Sequence, residues 1–281
     1  MSQSNPKNPV ALAEAYYDSD DADAFYREIW GGEDIHIGLY DPPDLDIATA
    51  SHATVVKLAR LIDGLGEKTR VLDIGAGYGG AARYLARTYG CHVTCLNLSD
   101  VQNAYNEKKN REQGLGSLVR VVHGNFESLP FQPGTFDVVW SQDAILHSSN
   151  RAKVLAEVVR VLAPGGQFVF TDPMQADDCP KGVLQPILDR IHLASLASPA
   201  FYRSELEKLG MKEKSFVPLL RHLELHYARV GEELGIRRAE VEAHGSAEYV
   251  ERMLAGLRNW VSGAKARHLM WGMFHFAKLK G

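Results

Sequence analysis

Cysteine is scarce in this sequence, and its spacing excludes the sites that cysteines usually build. The three cysteines, Cys91, Cys95 and Cys179, form no C-x-x-C pair and lie near no pair of histidines. Disulfide frameworks and zinc sites both need more numerous or more closely spaced ligands. We therefore expect reduced thiols, no metal site and a cytoplasmic location.

Long apolar runs are also missing, and neither sign of charge dominates. No run of 18 apolar residues is present, so no membrane-spanning helix is predicted. The first residues, MSQSNPKNP, lack the apolar core of a signal peptide. A formal net charge of −4 gives no attraction for a nucleic-acid backbone. The expected partner is a small molecule, bound by a monomer or a homodimer, with no nucleic acid and no membrane.

The strongest positive feature is a glycine-rich turn that follows an apolar strand, V-L-D-I-G-A-G-Y-G-G, beginning at Val71. Glycine allows the backbone to turn sharply and to approach a ligand closely. A helix that begins after the turn points free backbone N–H groups at that ligand. The stretch therefore predicts a site for a small polar cofactor.

The glycine spacing by itself fits two cofactors. Gly75, Gly77 and Gly80 match the dinucleotide pattern G-x-G-x-x-G. Gly75, Gly77 and Gly79 match the G-x-G-x-G turn of S-adenosylmethionine-dependent methyltransferases. Asp73 favours the second interpretation, because a carboxylate there attracts the ammonium of a methionine group and repels a pyrophosphate.

Strands and helices alternate through the middle of the chain, which predicts an α/β fold with a doubly wound, mostly parallel sheet of seven strands, Rossmann-like. A strand at 211–217 and the last strand, 268–278, are expected to pair as an antiparallel hairpin at the sheet edge. The five parallel strands are predicted at 70–74, 92–97, 118–122, 136–141 and 167–172, and the helices between them at 79–89, 101–113 and 151–162.

Three segments do not fit a minimal sheet domain. We expect them to form a helical lid over the carboxyl ends of the strands, where open α/β sheets bind ligands. The predicted division is an N-terminal lid at 1–45, core at 46–172, a lid insertion at 173–200 with a helix over 186–196, core at 201–218, a helical lid insertion at 219–265 and a final core strand at 266–281.

Polar residues follow the second and third strands, where a nucleoside is held in such folds. Asn97 is expected at the ribose hydroxyls with Leu98 beside it, and Gln102 one helical turn further on. Asn125 is expected at the adenine amine and Phe126 at the adenine face. Asn97 is uncharged. This disfavours NAD as the cofactor, because NAD sites usually have an aspartate or glutamate at this position.

Two further stretches narrow the interpretation. The fourth strand continues into W-S-Q-D-A-I-L-H-S, which includes Gln142, expected at the cofactor. The N-terminal region contains Y-Y-D from Tyr16 and Y-R-E-I-W-G-G-E-D-I-H-I-G from Tyr26. With these motifs the chain closely resembles sarcosine/dimethylglycine N-methyltransferases, which make glycine betaine. The resemblance covers almost the whole chain and implies a class I methyltransferase fold with S-adenosylmethionine as methyl donor.

The resemblance also implies roles for individual residues. Phosphoethanolamine methyltransferases are more distant relatives that share S-x-D-A-I-L-H and an N-terminal tyrosine. In that family the histidine and the tyrosine form the catalytic pair, and the aspartate contacts the substrate amine. The matching positions are His147, Tyr17 and Asp143, with Tyr16 as the alternative tyrosine.

A betaine product carries a quaternary ammonium and a carboxylate. Aromatic rings bind the first through cation–π contacts, and an arginine binds the second with two hydrogen bonds. Arg190 and Arg203 are the candidate arginines, and Tyr202 adjoins the second of them. The aromatic candidates are Tyr16, Tyr17, Tyr26, Trp30 and Trp271, with Trp30 also expected at the cofactor.

Three other functions remain open from the residues alone. The first is methylation of another small amine, such as a phosphobase, or of a carbon atom in a small metabolite. A phosphobase site would need several clustered lysines and arginines in the lid, and few are present. A non-catalytic S-adenosylmethionine-binding protein would not need His147 and Asp143 at the site. A dinucleotide oxidoreductase is disfavoured by Asp73 and Asn97.

Overall fold

The computed structural model describes residues 29–30, 32–191, 193–243 and 246–280. A short 3₁₀ turn, Ile145–His147, follows the fourth strand. The strands are β1 (Arg70–Ile74), β2 (His92–Asn97), β3 (Val119–His123), β4 (Phe136–Gln142), β5 (Leu162–Thr171), β6 (Met174–Gln175), β7 (Met211–Pro218), β8 (Leu269–Met270) and β9 (Gly272–Lys278). The helices are α1 (Ile47–Ala59), α2 (Gly80–Tyr89), α3 (Asp100–Glu112), α4 (Arg151–Val161), α5 (Gln185–Arg190), α6 (Pro199–Lys208), α7 (Leu220–Ile236), α8 (Arg238–Glu242) and α9 (Ala247–Lys265).

A seven-stranded sheet organises the described part of the chain, in the order β3-β2-β1-β4-β5-β9-β7. Strands β1 to β5 are parallel, and β9 runs antiparallel to both β5 and β7. The predicted fold class and the antiparallel pair at the edge are therefore confirmed. Apolar side chains bury both faces of the central strands, as expected for a parallel sheet covered by helices.

Two predicted strands differ from the structure for identifiable reasons. Strand β5 begins at Leu162 instead of residue 167, because Phe136 pairs with Leu162 before a register shift at the start of β4. The predicted strand 268–278 is divided at Trp271: β8 pairs with β6 in a separate two-stranded sheet, and β9 joins the main sheet. Helix 186–196 is shorter than predicted, since α5 ends at Arg190.

The strand register brings the predicted site residues to one edge. Asp73 on β1 pairs with Cys95 on β2 and Trp140 on β4, so the carboxyl ends of these three strands lie side by side. Helices α7 and α9 pack on each other and on Ile29 and Trp30 in a separate apolar cluster. In the described residues, no helix is both long and apolar enough to cross a membrane.

Candidate active site

The glycine turn adopts backbone conformations that favour glycine. Gly75, Gly77 and Gly79 have φ angles of +77°, +52° and +79°, in the left-handed region. A Cβ atom at Gly75 would collide with the Cβ of Ala144, which follows β4. Gly75 therefore lets the turn after β1 pack directly against the turn after β4.

Gly80, the third glycine of the possible dinucleotide pattern, lies against another segment of the chain. A Cβ atom here would lie 2.8 Å from the carbonyl oxygen of Glu33 and would collide with the carboxylate of Asp34. The absent side chain leaves room for the segment 32–40, which crosses the start of α2. Gly80 is thus needed for the approach of another part of the chain.

A cleft with an empty volume of about 330 Å³ opens between this segment and the glycine turn. Its position at the carboxyl edge of β1 and β4 agrees with the cofactor site predicted from the sequence. The lining residues come from the crossing segment and from the strand ends: Glu33, Asp34, Ile35, His36, Asp73, Gly75, Ala76, Gly77, Gly80, Ala81, Trp140 and Gln142.

Two carboxylates in this cleft create a demand for positive charge. Asp73 is only 3% exposed. Burial, followed by the neighbouring charge of Asp34, raises its pKa to about 8. Like charges held close together in a buried place are stabilised by a cation between them. The electrostatics therefore favour a ligand with an ammonium group, as in a methionine moiety.

A buried arginine fixes the crossing segment to the core. Arg83 on α2 is 2% exposed and pairs with the carboxylate of Glu33 at 2.7 Å. The same guanidinium donates to the side-chain oxygens of Asn106 and Asn110 on α3. Breaking such a buried pair leaves an uncompensated charge, so this contact holds Glu33 and its neighbours firmly over the glycine turn.

The predicted nucleoside residues surround the same turn. Asn97 donates from Nδ2 to Oε1 of Gln102 at 2.9 Å. The side-chain oxygen of Asn125 accepts the backbone N–H of Glu127, and the ring of Phe126 lies next to Gly75. These positions agree with a nucleoside beside the turn, while the individual contacts of Asn97, Leu98, Gln102, Asn125 and Phe126 with it stay predictions.

Asp143 joins three parts of the molecule. Its φ of +49° is unusual for a residue other than glycine. One carboxylate oxygen accepts the backbone N–H of Ile37 at 2.8 Å, and the other accepts the indole N–H of Trp271 at 2.8 Å. Burial raises the pKa of Asp143. Both oxygens thus already have partners, so the first role of this carboxylate is to hold the crossing segment and the start of β9 at the site.

His147 ends the 3₁₀ turn and is partly buried. Burial, followed by the positive charge of Arg151, lowers its pKa to about 4, so the ring is neutral at pH 7. Its turn is fixed by Asp172, which accepts the N–H of Leu146 at 3.0 Å and the hydroxyl of Tyr202 at 2.7 Å. The imidazole is therefore a neutral group on a rigid support.

Comparison with known proteins decides between the functions left open. A family profile described as "Methyltransferase domain" matches residues 72–170. A sarcosine/dimethylglycine N-methyltransferase from Halorhodospira halochloris is 53% identical over 269 residues, which is 96% of each chain. The chain belongs to the sarcosine/dimethylglycine N-methyltransferase family.

Further relatives agree with this family. A glycine/sarcosine/dimethylglycine N-methyltransferase from Actinopolyspora halophila is 54% identical over 95% of this chain and 47% of its own length. A solved structure from Galdieria sulphuraria, described as a sarcosine dimethylglycine methyltransferase, has a TM-score of 0.89 and 42% identity over 95% of this chain and 100% of its own. The class I methyltransferase fold, the methyltransferase activity and S-adenosylmethionine as methyl donor are confirmed.

Two of the predicted substrate residues have protein partners in the structure. Tyr202 is fully buried, and its hydroxyl donates a hydrogen bond to Asp172, so it supports the His147 turn. The guanidinium of Arg203 pairs with Glu213 on β7 at 2.8 Å and lies over the ring of Phe216.

Arg190 is different from Arg203. Its guanidinium lies against α9, with Nη2 2.9 Å from the sulfur of Met253, and a Cβ at Gly256 would collide with it. Within the described residues no carboxylate pairs with Arg190. The binding of a substrate carboxylate by Arg190 stays a prediction.

The predicted aromatic residues divide into two groups. Tyr16, Tyr17 and Tyr26 lie outside the described residues. Trp30 is 7% exposed and donates its indole N–H to the carbonyl of His36. Trp271 is fully buried against Asp143. Trp30 and Trp271 therefore support the residues around the cleft, and their contact with a ligand stays a prediction.

Sequence reasoning missed four residues that shape the site: Asp34, His36, His222 and His226. His222 and His226 lie one turn apart on α7, and their Nδ1 atoms accept the backbone N–H groups of Tyr40 at 3.0 Å and Gly38 at 3.2 Å. The available signal was the spacing H-x-x-x-H on a predicted helix, which places both rings on one face. Their partners are distant in sequence, so the spacing alone did not show what they bind.

Proposed function

We propose that this protein transfers methyl groups from S-adenosylmethionine to the nitrogen of sarcosine and of N,N-dimethylglycine and so produces glycine betaine. The single observation that carries the proposal is the identity of 53% over 96% of the chain with a relative of that name. A match of this extent includes the helices outside the sheet, which form the predicted lid. The acceptor specificity is therefore inferred together with the methyltransferase core.

The reaction is an in-line displacement in which a neutral amine attacks a methyl group that the sulfonium of the bound donor supplies. A tertiary amino acid resembles a lysine amine, with a pKa of about 10, and is mostly protonated at pH 7. The site must therefore bind the neutral form or remove one proton before transfer.

Two free-energy costs support an orienting function for His147. Transfer of the proton to a ring with a pKa of about 4 spans about six pKa units, roughly 8 kcal/mol. Release of the same proton to water at pH 7 spans about three units, roughly 4 kcal/mol. His147 is therefore proposed to orient the neutral amine, and water takes the proton.

The remaining contacts are proposed as follows. Asp143 holds the crossing segment while its field stabilises positive charge as it develops on the amine. The carboxylate of the substrate is assigned to Arg190, whose guanidinium has no carboxylate partner within the described residues. Tyr17, with Tyr26, Trp30 and Trp271, is proposed to complete an aromatic lid around the methylated nitrogen.

The compartment is proposed from the cysteines. Cys91 and Cys95 are buried free thiols, and burial raises the pKa of both, so neither is poised for oxidation. This supports a reducing, cytoplasmic setting. A monomer or a homodimer is proposed with it.

The decisive experiment offers the purified protein S-adenosylmethionine with glycine, sarcosine, dimethylglycine or phosphoethanolamine in turn, and measures the products by mass spectrometry. We expect dimethylglycine from sarcosine and betaine from both methylated glycines. Turnover of phosphoethanolamine alone would replace the proposal with the phosphobase alternative. No turnover of any acceptor, with the donor still bound, would point to a non-catalytic binding protein.

A further inference from the structure

Three buried polar atoms of residues that line the cleft lack hydrogen-bond partners within the described residues: Oδ1 of Asp34, Nε2 of His36 and Nε2 of Gln142. The first two belong to the segment 32–40. The two atoms lie 3.9 Å apart, which is too far for a hydrogen bond. His36 is only 7% exposed. An unsatisfied buried polar atom costs about 1–3 kcal/mol, so this pair is arranged for groups that a ligand supplies.

The other atoms of the two residues are held in place. Oδ2 of Asp34 contacts Nδ1 of His52 at 3.0 Å. The carbonyl oxygen of His36 accepts from the indole of Trp30 at 3.1 Å and from the hydroxyl of Ser51 at 2.9 Å. The two unsatisfied atoms are thus presented by a fixed backbone, which lowers the entropic cost of binding.

The chemistry of the pair matches an α-amino acid head group. Asp34 offers a carboxylate oxygen, and the buried carboxylate of Asp73 lines the same cleft. Nδ1 of His36 lies 3.4 Å from the carbonyl oxygen of Ile37, so Nε2 is the ring nitrogen that a ligand carboxylate can reach. An α-amino acid carries its ammonium and its carboxylate on one carbon, so its two partners must be close neighbours.

We propose that Asp34 and His36 bind the amino-acid end of the methyl donor, with Asp34 on the ammonium and His36 on the carboxylate. Asp73 then acts with Asp34 as the second carboxylate for the same ammonium. This inference rests on the proposed function only in taking S-adenosylmethionine as the donor; it requires no particular acceptor.

The test first compares two ligands, one with and one without the amino-acid group of the methyl donor. S-Adenosylhomocysteine carries the amino-acid group, and 5′-methylthioadenosine lacks it. Affinities are measured by isothermal titration calorimetry. Asp34→Asn and His36→Asn are each expected to lower the affinity for S-adenosylhomocysteine at least tenfold and to change the affinity for methylthioadenosine less than twofold. A third ligand, decarboxylated S-adenosylmethionine, should bind His36→Asn as well as the unmodified protein and should still bind Asp34→Asn weakly.

Matched controls lie at the opposite edge of the sheet. Asp63→Asn and His92→Asn make the same chemical changes at exposed positions and are expected to leave all three affinities unchanged. If Asp34→Asn and His36→Asn lowered the affinity for S-adenosylhomocysteine and for methylthioadenosine equally, the proposal would be overturned. Equal loss would mean that the variants disrupt the whole cleft. Unchanged affinity for S-adenosylhomocysteine would overturn it directly. A protein that passes this test yet methylates no amine would refute the proposed function alone.

Discussion

Single residues of this site act through the partners that fix them. Asp143 shows this most clearly, since its two oxygens bond to Ile37 and Trp271, which lie far apart in the sequence. Tyr202 and Asp172 similarly act on the turn that carries His147. At this scale, a residue's type suggests a function, and the contacts of its charged atoms decide which function it has.

The two candidate arginines allow a direct prediction at the residue scale. Arg190→Ala is expected to raise the KM for dimethylglycine at least tenfold with a smaller change in kcat, because the bidentate bond proposed between Arg190 and the substrate carboxylate would be lost. Arg203→Ala is the matched control and should leave this KM within twofold, since its guanidinium pairs with Glu213. The measurement is steady-state kinetics at saturating donor. An unchanged KM in both variants would place carboxylate binding elsewhere.

At the scale of elements, α7 holds the segment 32–40 against the sheet through two histidine side chains. Nδ1 of His226 accepts the backbone N–H of Gly38, and lies 2.9 Å from the hydroxyl of Tyr40. A ring nitrogen that accepts from an amide cannot be protonated. Burial, then the charge of His36, lowers the pKa of His226 to about 3, and burial also lowers the pKa of His222.

The free energy of unfolding depends on pH wherever the folded and unfolded states bind different numbers of protons. Unfolded histidines have a pKa of about 6.5, so the unfolded state binds protons that folded His226 does not bind until about pH 3. The contribution of neutral His226 to the stability of the folded protein is therefore complete above pH 6.5 and falls as the pH decreases towards 3. Between pH 6.5 and 5 the loss is on the order of 2 kcal/mol for His226 alone.

His226→Gln tests this dependence, because its amide oxygen accepts but does not titrate. We expect the free energy of unfolding, measured in urea, to fall less between pH 7 and pH 5 in His226→Gln than in the unmodified protein. His92→Gln, at an exposed position on β2, should show the unmodified slope. An identical slope in all three proteins would contradict a neutral, buried His226.

At the scale of the whole molecule, the segment 32–40 is where the core and the outer helices meet. Glu33 is bonded to α2, Ile37 to Asp143, and Gly38 and Tyr40 to α7. Occupation of the cleft should therefore stabilise α7 as well as the glycine turn, although α7 lines no part of the cleft.

Hydrogen exchange followed by mass spectrometry measures this coupling. With saturating S-adenosylhomocysteine, amides of 33–40 and of α7 are expected to exchange at least tenfold more slowly, because opening them requires release of the ligand. Strand β7, at the far edge of the sheet, serves as the internal control and should be unchanged. Protection restricted to the glycine turn would show that the outer helices open independently of the site.

The sequence by itself determined the fold class, the cofactor loop and the family. The alternation of strands and helices and the spacing from Asp73 to Gly79 are local patterns, and local patterns report backbone requirements directly. The division of the last strand at Trp271 was not visible, because the indole N–H of Trp271 donates to Asp143, a partner more than a hundred residues earlier in the sequence.

Only the tertiary structure decided which polar residues share the cleft. Asp34 and His36 looked like part of a family motif, and they became candidate ligand residues once Gly80 was seen to seat them over α2. Arg203 and Tyr202 looked equally suitable for a substrate until Glu213 and Asp172 were found beside them. Pairing of charges depends on distances between segments that are remote in sequence, whereas turns and periodicity depend on neighbours, and this is why the sequence determined the fold and the structure determined the site.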